Sequence, residues 1–151
     1  MMDKVINPER QGFYMKIMVM DGQGGGVGRS LVEALHARYP EAELVAVGTN
    51  AAATANMMKG GTAIGATGEN AVVYNSVRVD VIVGPIGIIM ANAMLGEITP
   101  RMAEAVASSD VPILLIPMSR CNAQVMGIGE RKLAENIMEA VNRLDELGIR
   151  A

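Results

Sequence analysis

Apolar residues fall along this chain in short unbroken runs, and between the runs they recur every three or four positions. The first run, Lys16 to Asp21 (KIMVMD), has the form of a strand covered on both faces of a parallel sheet. After a glycine-rich turn, Val27, Leu31 and Leu35 stand at helical spacing with Val32 beside them, until Tyr39-Pro40 ends the helix. Glu43 to Val47 predicts a second strand, and Asn50 an N-cap for a helix from Ala51 to Lys59 that Gly60-Gly61 stops. Thr62 to Asn70 shows no clear period, and Ala71 to Tyr74 reads as a short third strand. Asp80 to Gly84 is the fourth. Thr99-Pro100 caps and opens a helix reaching about Ser108, and Val111 to Ile116 is the fifth strand. Leu133, Ile137, Val141 and Leu144 stripe a last helix, with Glu139 four residues before Arg143 on its polar side and Gly148 as its stop.

Strands alternating with helices imply βαβ units and right-handed crossovers. The expected fold is therefore α/β, a Rossmann-like three-layer sandwich with a mostly parallel five-stranded sheet. The length, 151 residues, suits one domain, taken as residues 16–151 behind a flexible N-terminal arm, residues 1–15. That arm lacks the apolar run of a secretory signal. The longest uncharged run, Val81 to Gly96, is shorter than the ~20 residues of a membrane span and is broken by Gly84, Pro85 and Gly87, so no membrane partner is expected.

Composition changes the picture in three ways. With no Trp, one Phe and 13 Met, aliphatic side chains and adaptable thioethers must fill the core. A net charge of -3 with no Lys/Arg cluster leaves no footprint for a nucleic-acid backbone. The one cysteine, Cys121, forms no internal disulfide and builds no metal cluster, which makes the cytoplasm the expected compartment.

The chemistry concentrates where the first strand hands over to the first helix: Asp21-Gly22-Gln23-Gly24-Gly25-Gly26-Val27-Gly28. Glycines there permit positive φ and close approach of a ligand, while free N–H groups at the positive end of the helix face an anion. The alternative is that the glycines serve tight packing alone. The strict G-x-G-x-x-G pattern is not met, but Gly22, Gly26 and Gly28 fit G-x-x-x-G-x-G. This spacing resembles the cofactor loop of the short-chain dehydrogenase/reductase families and implies a dinucleotide, NADP or NAD. The second strand ends Gly48-Thr49-Asn50, without the acid that often meets ribose hydroxyls, so NADP fits at least as well as NAD. The families' Tyr-x-x-x-Lys pair is absent, because Tyr14, Tyr39 and Tyr74 are followed at that spacing by Met18, Glu43 and Arg78. A lysine-bearing P-loop is absent too.

Ligands of open α/β sheets sit outside the carboxyl ends of the strands. There this chain places the glycine turn, Thr49 and Asn50, then Asn75 and Ser76, Gly84 and Pro85 with Ile86-Gly87, and finally Pro117 to Asn122 with Ser119 and Arg120. Such residues also serve ordinary turns. Arg120 can fork onto a phosphate, but Cys121 has no assignable histidine base, since His36, the only histidine, falls near the end of the first helix. Glu69, Asn70 and Glu97 are read as local caps in preference to ligand contacts. The stretch Ile88 to Leu95 suits either core or a subunit interface, and a homo-oligomer is expected.

Taken with GTN, GATGENA, GPIGI, ANAMLGEITP and IPMSRCN, the chain resembles a small bacterial family catalogued as a domain of unknown function, from about Lys16 to the last helix. The resemblance implies one compact domain in a bacterial cytoplasm and no particular reaction. Three functional readings stay open: a nucleotide- or dinucleotide-binding module that serves as a sensor or regulator; a small NAD(P)-dependent oxidoreductase; and a structural or partner-binding protein.

Overall fold

The computed structural model describes residues 15–119 and 122–147. Arg120, Cys121, the Gly148 stop and residues 1–14 of the arm lie outside the described residues. The elements run β1 (Lys16–Asp21), α1 (Gly26–Arg38), β2 (Glu43–Gly48), α2 (Ala51–Met58), β3 (Ile64–Thr67), α3 (Glu69–Ser76), β4 (Val81–Pro85), a 3-10 turn (Ile86–Ile89), α4 (Pro100–Ala107), β5 (Ile113–Ile116) and α5 (Leu133–Glu146). The five strands form one sheet in the order β3-β2-β1-β4-β5, and every pairing is parallel. The expected α/β architecture is therefore present, with a wholly parallel sheet.

The unbroken apolar runs follow from burial on both faces. Along β1, Ile17 and Val19 point toward Leu31, Leu35, Val141 and Leu144 of α1 and α5, while Met18 and Met20 point toward Ile98, Met102 and Val106 beside α4. All four strand residues are wholly buried, each stabilising the fold by about 1.5–3 kcal/mol on a simple burial argument. Asn50 accepts from the Ala53 N–H at the start of α2, and Thr99 accepts from Met102 N–H ahead of α4, with Pro100 in its first turn. Both caps stand where the pattern places them. At the far end of α1, Tyr39 is buried and donates its hydroxyl to the Asp145 carboxylate, which also pairs with Arg38.

One element differs. Ala71 to Tyr74 belongs to α3, and the third strand is Ile64–Thr67, inside the segment that shows no period. β3 is an edge strand with mostly exposed side chains, so no apolar alternation marks it. Gly65 lies so close to α2 that a Cβ would meet Thr54 Cγ2 at 2.9 Å. In α3, Val72 turns into the core beside Met102 and Val106, and this packing overrides the strand preference of Val-Val-Tyr. Asn75 and Ser76 bond back to the carbonyls of Ala71 and Val72 at 2.8 and 2.6 Å. They are thus absent from the carboxyl edge of the sheet, where Thr67-Gly68-Glu69 follows β3 instead.

Candidate functional site

Strand order reverses at β1, which leaves a crevice at the carboxyl ends of β1 and β4, the position where open α/β sheets hold ligands. A cleft of about 640 Å³ opens there. Its floor is the glycine turn from Asp21 to Val27, and its walls are Pro85 and Gly87 after β4, Met118 after β5, and Ala93, Met94 and Leu95. A larger hollow of about 950 Å³ runs between β5 and α5, but it holds none of the turn.

The turn is built around Asp21. Its carboxylate is buried and accepts the Gly22 N–H at 2.7 Å and the Gly28 N–H at 2.8 Å, so the last residue of β1 caps the first turn of α1. Burial pushes its pKa up, the two amide hydrogen bonds oppose that, and the charge of Glu97 adds to the rise. Gly25 is the N-cap residue in the left-handed region at φ 72°, and a Cβ there would meet the Ala53 carbonyl oxygen at 2.6 Å. From α2, Asn56 donates to the Gly24 carbonyl at 2.9 Å, and Arg29 donates in turn to Asn56 at 3.1 Å.

The glycines divide into two sets. A Cβ on Gly22 would meet Met94 Sδ at 2.6 Å and Thr49 Oγ1 at 2.7 Å, and one on Gly28 would meet Asp21 Cβ at 2.8 Å. These positions are glycine because neighbours fill the space. Gly24 and Gly26 are exposed, neither has a positive φ, and a Cβ on either would meet nothing within 4 Å. At the same place the N–H groups of Gly26 and Val27 find no hydrogen-bond partner among the described residues.

A strap from Met90 to Ile98 crosses the turn. Asn92, Met94 and Leu95 take positive φ of 65°, 56° and 57°, uncommon for residues with side chains, and Gly96 follows at 92°. Hydrogen bonds from Asn92 N–H to the Ile98 carbonyl (2.7 Å) and from Glu97 N–H to the Met94 carbonyl (3.2 Å) close the loop on itself. Its tether to the rest of the site is Glu97, whose Oε1 accepts from Thr49 Oγ1 at 2.7 Å, Asn50 Nδ2 at 2.8 Å and Gln23 N–H at 2.9 Å. The Thr49 hydroxyl does most to hold this carboxyl below its ordinary range; desolvation, the next largest effect, opposes it, and the Gln23 amide and Asn50 add to the lowering. The acid missing from the end of β2 in the sequence is thus supplied from a residue 74 positions beyond Gln23.

Several site expectations change in consequence. Glu97 is no local cap: Thr99 caps α4, and Glu97 clasps the glycine turn. Glu69 is no local cap either: α3 has no side-chain cap, and Glu69 reaches α4, accepting from Thr99 Oγ1 at 2.6 Å and pairing with Arg101 at 3.6 Å. Thr49 and Asn50 stand against the turn, but their donors are directed to Glu97 and, for Asn50, also to the Gln23 carbonyl. Pro85 lines the cleft, whereas Gly84 is buried within β4, where a Cβ would strike the Met20 carbonyl oxygen. Ser119 is exposed beyond β5 and does not line the cleft. His36 is exposed in the last turn of α1, at the opposite end from the glycines. The stretch from Ile88 divides, with Ile88 in the core and Met94 laid over Gly22. Asn56, Met94, Met118 and the structural role of Asp21 carried no signal in the sequence beyond their proximity to Gly or strand ends.

Among the described residues no group of three or more His, Cys, Asp or Glu side chains is placed to hold a metal ion, and no helix is long and apolar enough to cross a membrane. No curated protein and no solved structure matches the chain. A family model does, that of the Domain of unknown function (DUF3842), over residues 16–148. Because that match takes in β1, the glycine turn, the Glu97 strap and all of α5, the chain belongs to the DUF3842 family.

Proposed function

We propose that this chain binds a phosphate-bearing small molecule of the nucleotide class in the cleft over the glycine turn. The carrying observation is the pair Gly24 and Gly26, which stay glycine where neither φ nor any neighbour within 4 Å requires it. Close approach of a ligand to the backbone is the remaining physical reason for leaving out a side chain there. The N–H groups of Gly26 and Val27, at the positive end of α1 and without a hydrogen-bond partner among the described residues, supply donors for a phosphate. The apolar wall of Pro85, Met94, Leu95 and Met118 suits the flat face of a base. NAD and NADP both belong to this class.

Binding without turnover, as in a sensor or regulator, is the form this reading takes. Among the described residues lining the cleft, Asp21 is the one ionisable side chain, and both its oxygens are already held by backbone amides. The test is thermal stabilisation and calorimetry with AMP, ADP, NAD and NADP, in wild type and Gly26→Val. Wild type is expected to gain about 2.7 kcal/mol at a ligand concentration of about 100 Kd. Gly26→Val should fold normally and lose that gain. An absence of saturable binding by any of the four would refute the reading.

A further inference from the structure

We infer that Glu97 reads the ribose of the bound nucleotide, accepting its hydroxyls and turning away a 2′-phosphate, so that the site selects NAD-class ligands over their 2′-phosphorylated counterparts. This rests on the nucleotide reading of the cleft.

Glu97 is not among the described residues that line the cleft; it stands at the cleft's margin, against the carboxyl end of β2, and Gln23 joins the two, since it lines the cleft and donates its N–H to Glu97. In dinucleotide folds an acid at the end of the second strand takes the ribose hydroxyls. Here no acid stands at that point in the sequence, and the strap delivers one.

Next comes the state of the carboxylate. Its Oε1 is saturated by three protein donors, while Oε2 has no hydrogen bond among the described residues, and the side chain is partly exposed. An ionised carboxylate only accepts, so its free oxygen suits a hydroxyl and offers nothing to a phosphate. Thr49 and Asn50, which taken alone would tolerate a 2′-phosphate, have turned their donors to Glu97. A 2′-phosphate would therefore meet negative charge and find those two donors already taken.

Glu97 is also held in place. Gly22 leaves room for it, since a Cβ there would come within 3.3 Å of Glu97 Oε1. The strap reaches this arrangement through three side-chain-bearing residues at positive φ, an uncommon conformation that persists where surrounding contacts over-determine it and that clusters at binding sites.

The experiment is calorimetry of the full chain and of Glu97→Gln with two matched pairs, NAD against NADP and AMP against adenosine 2′,5′-bisphosphate. The glutamine keeps an oxygen for the Gln23 and Thr49 donors and removes the charge, and its melting temperature checks that the clasp survives. Wild type is expected to prefer the unphosphorylated ribose by about tenfold or more, and Glu97→Gln to bring each pair within about threefold by gaining affinity for the 2′-phosphate. Equal affinities in wild type, or an unchanged ratio in Glu97→Gln, overturn the role of Glu97 while leaving nucleotide binding intact. Failure of all four probes to bind wild type overturns both.

Discussion

Gly26 and Gly28 sit two residues apart in one motif, yet alanine should move the stability of the fold in opposite directions at the two positions. At Gly28 the new methyl would lie 2.8 Å from Asp21 Cβ and against the Met57 side chain. Neither neighbour yields easily, because Asp21 is fixed by two amide hydrogen bonds and Met57 is wholly buried. Overpacking of this kind costs about 1–3 kcal/mol, while alanine returns about 1 kcal/mol of helix preference over glycine. Because the methyl would press on both Asp21 and Met57, the upper part of that range, about 2–3 kcal/mol, applies, and the net expectation for Gly28→Ala is a loss of about 1–2 kcal/mol. At Gly26 the methyl meets nothing within 4 Å and the φ is not positive, so Gly26→Ala should gain about 0.4–1 kcal/mol by restricting the unfolded chain. Urea denaturation of ligand-free protein, followed by circular dichroism with the slope checked for constancy, measures both. The melting temperatures should differ by roughly 4–8 °C, taking about 2 kcal/mol between the variants. If Gly28→Ala proves as stable as wild type, or Gly26→Ala falls as far as Gly28→Ala, the division of the glycines into packing and ligand-facing sets is wrong.

Three further expectations follow from groups away from these two glycines. Thr99→Ala removes the cap on Met102 N–H and the hydroxyl held by Glu69; it should cost about 1 kcal/mol, read as a fall of roughly 2–4 °C in Tm. Glu97 has a lowered native pKa, so the stability it adds is present above its ordinary value of 4.5 and is lost as pH falls through the depressed one. The stability gap between wild type and Glu97→Gln should therefore narrow between about pH 7 and about pH 3, and a gap that widens on acidification would contradict the clasp. Burial and the Asp145 carboxylate push Tyr39 up to about 12, so in an ultraviolet titration of the folded protein its phenol should ionise well after an ordinary tyrosine, and Tyr39→Phe should remove that late step.

Strand and helix order was legible wherever both faces of an element are buried or a cap marks its start. β1 and β4 stand out because they lie inside the sheet and are buried throughout the runs IMVM and VIV, respectively. Asn50 and Thr99 announce their helices through side-chain chemistry that acts within three residues. β3 was hidden for the converse reason: an exposed edge strand needs no apolar alternation, and Val72, which looks like strand, earns its burial from α4 across the layer. The glycine turn was visible as a cluster, but sequence offered no means of separating Gly22, whose space is filled by Met94 and Thr49, from Gly24, whose space is open. Glu97 was the least legible of all, since its partners Gln23, Thr49 and Asn50 are local to β1 and β2 and it is not.

That long reach has a consequence in time. Ribosomes deliver about 5–20 residues per second, so the 74 residues separating Gln23 from Glu97 take roughly 4 to 15 s to emerge. For most of that interval β1 also waits for β4, its second neighbour in the sheet, with one edge unpaired. The nascent chain thus carries its glycine turn long before the carboxylate that clasps it, and the finished site is a late event in the birth of the protein.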